Sequence, residues 1–369
     1  MRRFGPLTRT AVLGMFVAAS MLVTPAAEAA TPAGCVDIDG ETFCPNFGFT
    51  KLAPSTVASI LSKAAAASRS TNAASASDDA STGDMSREDY AAYLATLTPA
   101  QRKASEAEQI AAARTAVGKI KLVDYLAAGQ GIPAGFFEKY PNLRIKEGSS
   151  LAASLRAEAK AKPSAAARAG AITPQAISSD PTKDYEYIMP NLARQQETDY
   201  YCGPATMQMI DLGDVGSPNK GQTTWATRMG TSEDGTAIDV LVTKLNEFTT
   251  WDDTAGGAFV VQSAAGRDQD WFMTAHRAQI GLTKSPVVEH PKLLKTYFTY
   301  LKRDHGGHFQ VGRGYSRTST PATIGIIEPY NERTWWGTAG NVTGGYESIP
   351  LVLMFNATLA NTGHKNFGY

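Results

Sequence analysis

The chain has 369 residues, of which 43% are hydrophobic and 19% are charged, and this length allows two folded units or one unit with appendages. Its 35 basic and 35 acidic side chains give a formal net charge of +0. Because a balanced chain has no bulk field to attract nucleic acid or anionic lipid, neither is expected as a partner.

Residues 1–29 have the pattern of a cleavable secretory signal. An arginine pair at 2–3 gives a positive start, 11–23 form an apolar run, and 27–29 offer small residues at the positions that a signal peptidase reads. The apolar run is short for a bilayer, so a retained membrane anchor is the less favoured interpretation. We therefore predict a secreted, extracellular protein that has no membrane contact after signal cleavage.

The three cysteines predict one disulfide in a β-hairpin. Asp39-Gly40 is a strong signal for a two-residue hairpin turn. Counting outward from this turn sets Cys35 opposite Cys44 in a non-hydrogen-bonded pair, where the backbones approach closely enough for a disulfide. Two free or intermolecularly paired thiols are the alternative. A Cys35–Cys44 disulfide leaves Cys202 as a lone thiol.

Residues 30–183 are rich in alanine and poor in large apolar groups, so this N-terminal region is predicted to be mostly helical and flexible. Ser86 with Asp89 and Thr98 with Gln101 have the pattern that begins a helix. The region is interpreted either as an extracellular spacer or as a propeptide that folds over an active site. Composition does not separate the two interpretations.

Residues 184–369 contain all five tryptophans and have the composition of a compact domain. Helical patterns come first and strand patterns follow, which predicts an α+β domain. The predicted helices are 204–212, 237–248 and 291–303, and the predicted strands are 308–315, 323–328 and 349–353.

Cys202 is the predicted nucleophile. Pro204 and the apolar residues behind it place Cys202 at a helix N-terminus, where the partial positive charge favours a thiolate. Gln196 lies six residues upstream, so that its amide and the Cys202 backbone N–H could bind a developing oxyanion. A buried structural thiol is the alternative, because cysteine is among the most buried residue types.

Five histidines could supply the base. Three lie between predicted helices or in the polar C-terminal tail: His276, His290 and His364. His308 follows two glycines and opens a strand, and such glycines allow close backbone approach near a site. His305 lies in the preceding loop, so His308 is the better candidate. His305 and His308 also have the spacing of a metal-binding pair, but no third ligand has suitable spacing, so no metal is predicted.

Glu328 ends the strand that follows His308. If a hairpin pairs Tyr315 with Thr323, Gln310 faces Glu328, and Glu328 becomes a same-face diagonal neighbour of His308. It could then accept a hydrogen bond from the imidazole and orient it. The alternative is an ordinary charge at a strand end.

These motifs resemble the bacteriocin-processing family of double-glycine leader peptidases, and most closely its stand-alone exported branch. The motifs are Gln196…Tyr-Cys202-Gly-Pro-Ala, Gly-His308-Phe-Gln-Val-Gly-Arg-Gly-Tyr and Ile-Ile-Glu328-Pro-Tyr. The resemblance spans about 184–353 and implies a papain-like fold, with Gln196 at the oxyanion hole, Cys202 as nucleophile, His308 as base and Glu328 as orienter. The family usually has Asp where this chain has Glu328, and Asn331 is the alternative orienter.

The predicted function is that of a secreted cysteine peptidase that hydrolyses peptide or protein substrates through an acyl-enzyme, without metal or organic cofactor. A cysteine-dependent amidase or an acyl or amide transferase acting on cell-wall peptides is the second interpretation. A non-catalytic extracellular binding module with a degenerate site is the third. If the N-terminal region is an intramolecular propeptide, self-processing is expected within 171–183.

Overall fold

A computed structural model describes residues 34–70, 83–145, 182–214, 219–254 and 256–369. The predicted signal at 1–29 and nearly all of the predicted processing segment at 171–183 lie outside these residues. Among the described residues, no helix combines the length and the apolar character that crossing a membrane requires.

The described chain builds one ten-stranded sheet. The strands are β1 Val36–Ile38, β2 Glu41–Cys44, β3 Gly48–Phe49, β4 Tyr185–Tyr187, β5 Val261–Ser263, β6 Val287–Glu289, β7 Gln310–Ser316, β8 Thr323–Glu328, β9 Gly345–Pro350 and β10 Asn366–Gly368. Their order is β1-β2-β3-β5-β10-β6-β7-β8-β9, and β4 pairs with β7 beside β6. The β3–β5 pair is parallel, whereas the other pairs are antiparallel. The predicted mixture of helices with a mostly antiparallel sheet is therefore confirmed.

Helices cover both faces of this sheet. They are α1 Pro54–Ser70, α2 Arg87–Thr96, α3 Pro99–Ala127, α4 Phe136–Lys139, α5 Cys202–Gly213, α6 Gln222–Met229, α7 Ile238–Phe248, α8 Trp251–Thr254, α9 Gln269–His276, α10 Glu332–Trp336 and α11 Leu351–Ala360. A π-helical turn continues α9. The Ser86 side chain caps α2, and Thr98 with Gln101 forms a complete capping box on α3, as the sequence predicted.

Two apolar clusters lie on the sheet. One joins α5, α6 and α7 to Val311 and Ile327, and the other joins α3, α9 and α11 to Ile326. Neighbouring residues of one strand point to opposite faces, which explains why Ile326 and Ile327 belong to different clusters. Each large apolar side chain buried in this way contributes about 1.5–3 kcal/mol. Helix α3 of the N-terminal region is therefore part of the core that also contains the C-terminal elements.

The N-terminal hairpin has the predicted geometry. Asp39 and Gly40 have φ of 55° and 83°, which a tight turn of this kind requires. Val36 pairs with Phe43, and the predicted Cys35–Cys44 disulfide is present. The next strand, β3, pairs with β5. The hairpin is thus one end of the sheet that the C-terminal half builds.

The predicted helix at 291–303 is wrong. This stretch is irregular, although its apolar spacing is helical. Its backbone bonds instead with the loop before His308: the Leu293 N–H donates to the Gly306 carbonyl, and the His305 N–H donates to the Leu293 carbonyl. These contacts to a segment later in the chain replace the local bonds of a helix.

Two expectations about the C-terminus are also wrong. The strand predicted at 349–353 lies earlier, at β9, and α11 begins directly after it. Pro350 has no N–H and cannot continue the ladder, which explains the change at this residue. His364, expected in a polar tail, is only 5% exposed. It precedes β10, which lies between β5 and β6 and carries the fully buried Phe367.

Candidate active site

Cys202 is the first residue of α5, as predicted, and its free thiol is fully buried. The sulfur accepts hydrogen bonds from the backbone N–H groups of Phe309 and Gly203. Phe309 directly follows His308. The sulfur therefore lies against the segment that carries the predicted base.

The thiol does not have the activated character that its helix position predicts. Burial raises the pKa of Cys202 well above its ordinary value, against the two backbone N–H groups, and the negative charges of Asp84 and Glu328 raise it further. Burial in apolar surroundings opposes the effect of a helix N-terminus on a thiol. This closed arrangement therefore favours the neutral form of Cys202 over the thiolate.

The structure places Glu328 directly against His308. The His308 Nε2 atom lies 2.6 Å from Glu328 Oε1, and both side chains are buried. The other ring nitrogen, Nδ1, is buried and has no hydrogen-bond partner among the described residues. One nitrogen is thus held by a carboxylate while the other stays available, which is the arrangement that a general base needs.

Glu328 is fixed by three further hydrogen bonds. The Tyr300 hydroxyl donates to Oε2 at 2.7 Å, Gln310 Nε2 donates to Oε2 at 2.6 Å, and the Tyr330 N–H donates to Oε1 at 2.8 Å. Burial alone would raise the pKa of Glu328, but the charge and hydrogen bond of His308, with the Tyr300 and Tyr330 donors, hold it below its ordinary value. A carboxylate held in this way can stabilise an imidazolium.

Tyr300 and Gln310 were not predicted as site residues. The predicted register already set Gln310 opposite Glu328, and that signal could have identified it. Tyr300 carried no such signal, because it lay in a stretch expected to be helical. Its role depends on the irregular path of 291–303.

The predicted register of β7 and β8 is right at the site and wrong at the turn. Tyr315 pairs with Ile324 rather than with Thr323, whereas Val311 pairs with Ile327 as predicted. A bulge in the middle of β7 accounts for the one-residue shift, since a bulge sets two residues of one strand opposite one of its partner. The same-face relation of Glu328 and His308 therefore survives.

Gln196 does not point its donors at the sulfur. Its Nε2 donates to the carbonyls of Thr198 and Asp199, both at 2.9 Å, and its buried Oε1 has no hydrogen-bond partner in the part of the chain that the structure describes. The amide therefore holds the turn that leads to Cys202. The oxyanion role remains a prediction, and it requires the amide to exchange these acceptors for a substrate oxygen.

Asn331, the alternative orienter, and His305, the alternative base, each have other hydrogen-bond partners. Asn331 caps α10, where its Oδ1 accepts from the Arg333 N–H. His305 contacts a different carboxylate, with its Nε2 2.9 Å from Glu332 Oε1. The two histidines of the His-x-x-His spacing therefore belong to two separate pairs, His305–Glu332 and His308–Glu328.

Residues 83–85 of the N-terminal region pair with the chain just before α7. The Thr236 N–H donates to the Gly83 carbonyl at 2.9 Å, and the Met85 N–H donates to the Thr236 carbonyl at 3.0 Å. Thr236 itself packs so closely on Gly203 that a β-carbon there would collide with its hydroxyl. We call residues 83–85 the covering segment, because they lie beside the nucleophile.

The covering segment spans both halves of the site. A β-carbon on Gly83 would collide with the backbone of Tyr200, two residues before Cys202. A β-carbon on Gly307, the residue before His308, would collide with the Asp84 carboxylate. The segment therefore contacts both the chain that carries the nucleophile and the chain that carries the base.

Comparison of the chain with protein-family models, with curated proteins and with solved structures found no match. The resemblance to double-glycine leader peptidases therefore depends on its motifs and remains a prediction. The papain-like fold is also still a prediction, beyond the mixed α/β architecture described above.

Proposed function

We propose that this chain is a cysteine peptidase with Cys202 as nucleophile, His308 as general base and Glu328 as orienter. The observation that carries the proposal is the buried His308–Glu328 pair. Among the described residues, His308 Nδ1 has no hydrogen-bond partner. The next residue, Phe309, donates its backbone N–H to the Cys202 sulfur. Nucleophile, base and orienter thus occupy one water-excluded cluster.

In the proposed reaction, His308 Nδ1 takes the Cys202 proton, and the sulfur attacks the carbonyl carbon of a peptide bond. The imidazolium, stabilised by the Glu328 carboxylate, then protonates the leaving amine as the carbon–nitrogen bond breaks. A thioester remains. His308 next removes a proton from water, which attacks the thioester and releases the acid and the thiol. No cofactor enters these steps.

The closed site supports a precursor form. An extended substrate would need the place that the covering segment occupies, and the Thr236 backbone would offer it the same donor and acceptor. We therefore propose that the N-terminal region acts as an intramolecular propeptide and that the enzyme works after this segment has left. The signal-like residues 1–29 support secretion of this precursor.

The test compares the full-length chain with its Cys202→Ala variant, each expressed with residues 1–29 and recovered from the medium. Both are incubated with a mixed peptide library and, separately, with purified peptidoglycan, and products are identified by mass spectrometry. We expect peptide cleavage and shortened mature ends for the wild type only. Cleavage of peptidoglycan cross-links alone would favour the amidase interpretation, and equal cleavage by both chains would end the proposal.

A further inference from the structure

Three ligand-type atoms from distant parts of the chain converge beside the active site. They are Asp84 Oδ1, His290 Nε2 and His364 Nε2, and they lie within 4.8 Å of one another. The side chains of His290 and His364 are 0% and 5% exposed, and that of Asp84 is 4% exposed. We propose that these residues bind a zinc ion.

Among the described residues, none of the three atoms has a hydrogen bond of good geometry. Asp84 Oδ1 lies 2.8 Å from His290 Nε2, within ion-pair distance, and 3.7 Å from His364 Nε2. Buried polar atoms are normally hydrogen-bonded, so three clustered atoms without well-formed bonds need an explanation. A cation bound among them would satisfy all three.

Each histidine ring also contacts a neighbouring oxygen on the side that faces away from the cluster. His290 Nδ1 lies 2.7 Å from Asn366 Oδ1, and the His364 ring donates to the Met85 carbonyl. These contacts favour a proton on the far nitrogen of each ring, and in that tautomer the Nε2 lone pair is available to a metal ion. Metal-bound histidines are oriented in this way by carbonyl or carboxylate acceptors.

The carboxylate of Asp84 is also oriented from behind. Its second oxygen accepts a hydrogen bond from Asn361 Nδ2 at 3.2 Å, which turns Oδ1 towards the two imidazoles. Stacking of the His290 ring on Phe309, with centroids 4.4 Å apart, fixes the imidazole plane. All three ligands are therefore preorganised by neighbours that do not themselves bind the ion.

The donor set excludes the hard cations. Two imidazole nitrogens and one carboxylate oxygen suit zinc and also ferrous iron, whereas calcium and magnesium prefer sites built from oxygen alone. We name zinc because it needs no redox partner. Three protein ligands leave a fourth position for water or another ligand. No metal is predicted from the sequence, because the ligands are far apart along the chain and show no ligand spacing.

The ion would also act on the covering segment. Asp84 belongs to that segment, whereas His290 follows β6 and His364 precedes β10. A zinc ion bound to all three would hold the segment on the sheet, beside the buried Cys202. Its release would therefore loosen the segment and expose the thiol.

The test uses the full-length Cys202→Ala chain, which cannot cleave itself and offers no thiol ligand, so its outcome is independent of the proposed peptidase activity. After dialysis against zinc and then buffer, elemental analysis should find about one zinc per chain. Asp84→Asn and His364→Gln should each lower zinc affinity by ~10²-fold or more. His305→Gln is the matched control, since this histidine is equally buried beside a glutamate and should leave zinc binding unchanged.

If the ligand variants fail to fold, cobalt titration of the parent chain decides. A tetrahedral cobalt spectrum that zinc abolishes at one equivalent supports the site, and its absence overturns the proposal. The role on the segment is tested in the wild-type chain, where chelation should increase iodoacetamide labelling of Cys202 at least ~10-fold, as expected when a buried thiol becomes accessible. Zinc binding without this increase would support the zinc site but contradict its proposed effect on the covering segment.

Discussion

The charge on Glu328, more than its shape, should determine activity at the residue scale. Glu328→Gln retains the size of the side chain but removes the carboxylate that faces His308 Nε2. We expect kcat for peptide hydrolysis to fall by roughly 10²-fold or more, with a smaller change in KM, because a positioned base contributes 10²–10⁴-fold. The measurement is steady-state hydrolysis by the processed enzyme.

Glu332→Gln is the matched control for this prediction. Glu332 is buried and contacts His305 as Glu328 contacts His308, but it has no direct contact with the proposed base. Its replacement should affect folding stability more than turnover. Equal losses of kcat in the two variants would mean that Glu328 acts through the fold and not through the imidazole.

Glu328 should also make stability dependent on pH. Its pKa in the folded chain lies below the value of 4.5 for an unperturbed glutamate. A carboxyl with a lowered folded pKa contributes stability that is fully present above its unfolded pKa and is lost as the pH falls through the folded pKa. Wild type should therefore exceed Glu328→Gln in free energy of unfolding by more at pH 7 than at pH 3. Urea titrations at both pH values measure this gap, and a gap that does not depend on pH would contradict the assignment.

The sequence predicted which residue types lie at the site, but not how deeply they are buried or which hydrogen bonds they make. His308 and Glu328 are in contact, and Cys202 lies against Phe309, whereas the catalytic roles of the three stay predictions. Burial raises the pKa of Cys202, and so does the charge of Asp84. Asp84 lies in the covering segment, more than a hundred residues earlier, and no local pattern reports such a contact. Gln196 likewise donates to Thr198 and Asp199 because of a turn that no spacing rule describes.

At the scale of elements, the N-terminal hairpin should be a measurable source of stability. Replacing both Cys35 and Cys44 by Ala removes a link between residues nine apart, and a loop of this size is expected to contribute about 2–3 kcal/mol. The double variant should show a lower Tm and a lower midpoint in urea under non-reducing conditions. Wild type measured with a reductant is the control, and it should lose a similar amount of stability. No loss in either would mean that β2 and β3 fix the hairpin without the disulfide.

Elements were predictable where local chemistry decides them. The Asp39-Gly40 turn and the caps at Ser86 and Thr98 need only neighbouring residues, and all three are present. The stretch 291–303 has helical spacing, but its backbone bonds to the loop before His308. Long-range bonds of that kind are not visible in a periodicity.

At the scale of the whole molecule, the covering segment should control access to Cys202. Gly83 has a φ of 100°, and a β-carbon on it would collide with the Tyr200 backbone. Gly83→Ala should therefore displace the segment and speed iodoacetamide labelling of Cys202 by ~10-fold or more, since an exposed thiol reacts as a buried one cannot. The readout is the labelling rate at pH 8, followed by intact mass.

Gly129→Ala separates displacement from backbone strain. Gly129 also has a positive φ, of 63°, but a β-carbon there meets nothing within 4 Å. Both variants place an alanine at a positive φ, which is strained for any L-residue, and only Gly83→Ala also carries the collision. Equal labelling rates in the two variants would show that the segment does not limit access.

Strand β10 has a further effect on how this molecule is made. It lies between β5 and β6. Among the described strands, residues 366–368 alone join the half of the sheet with the hairpin to the half with His308 and Glu328. A ribosome adds these residues after the other nine strands. The two halves of the sheet can therefore pair only after β10 has been synthesised, and contacts between such distant parts of a chain form slowly.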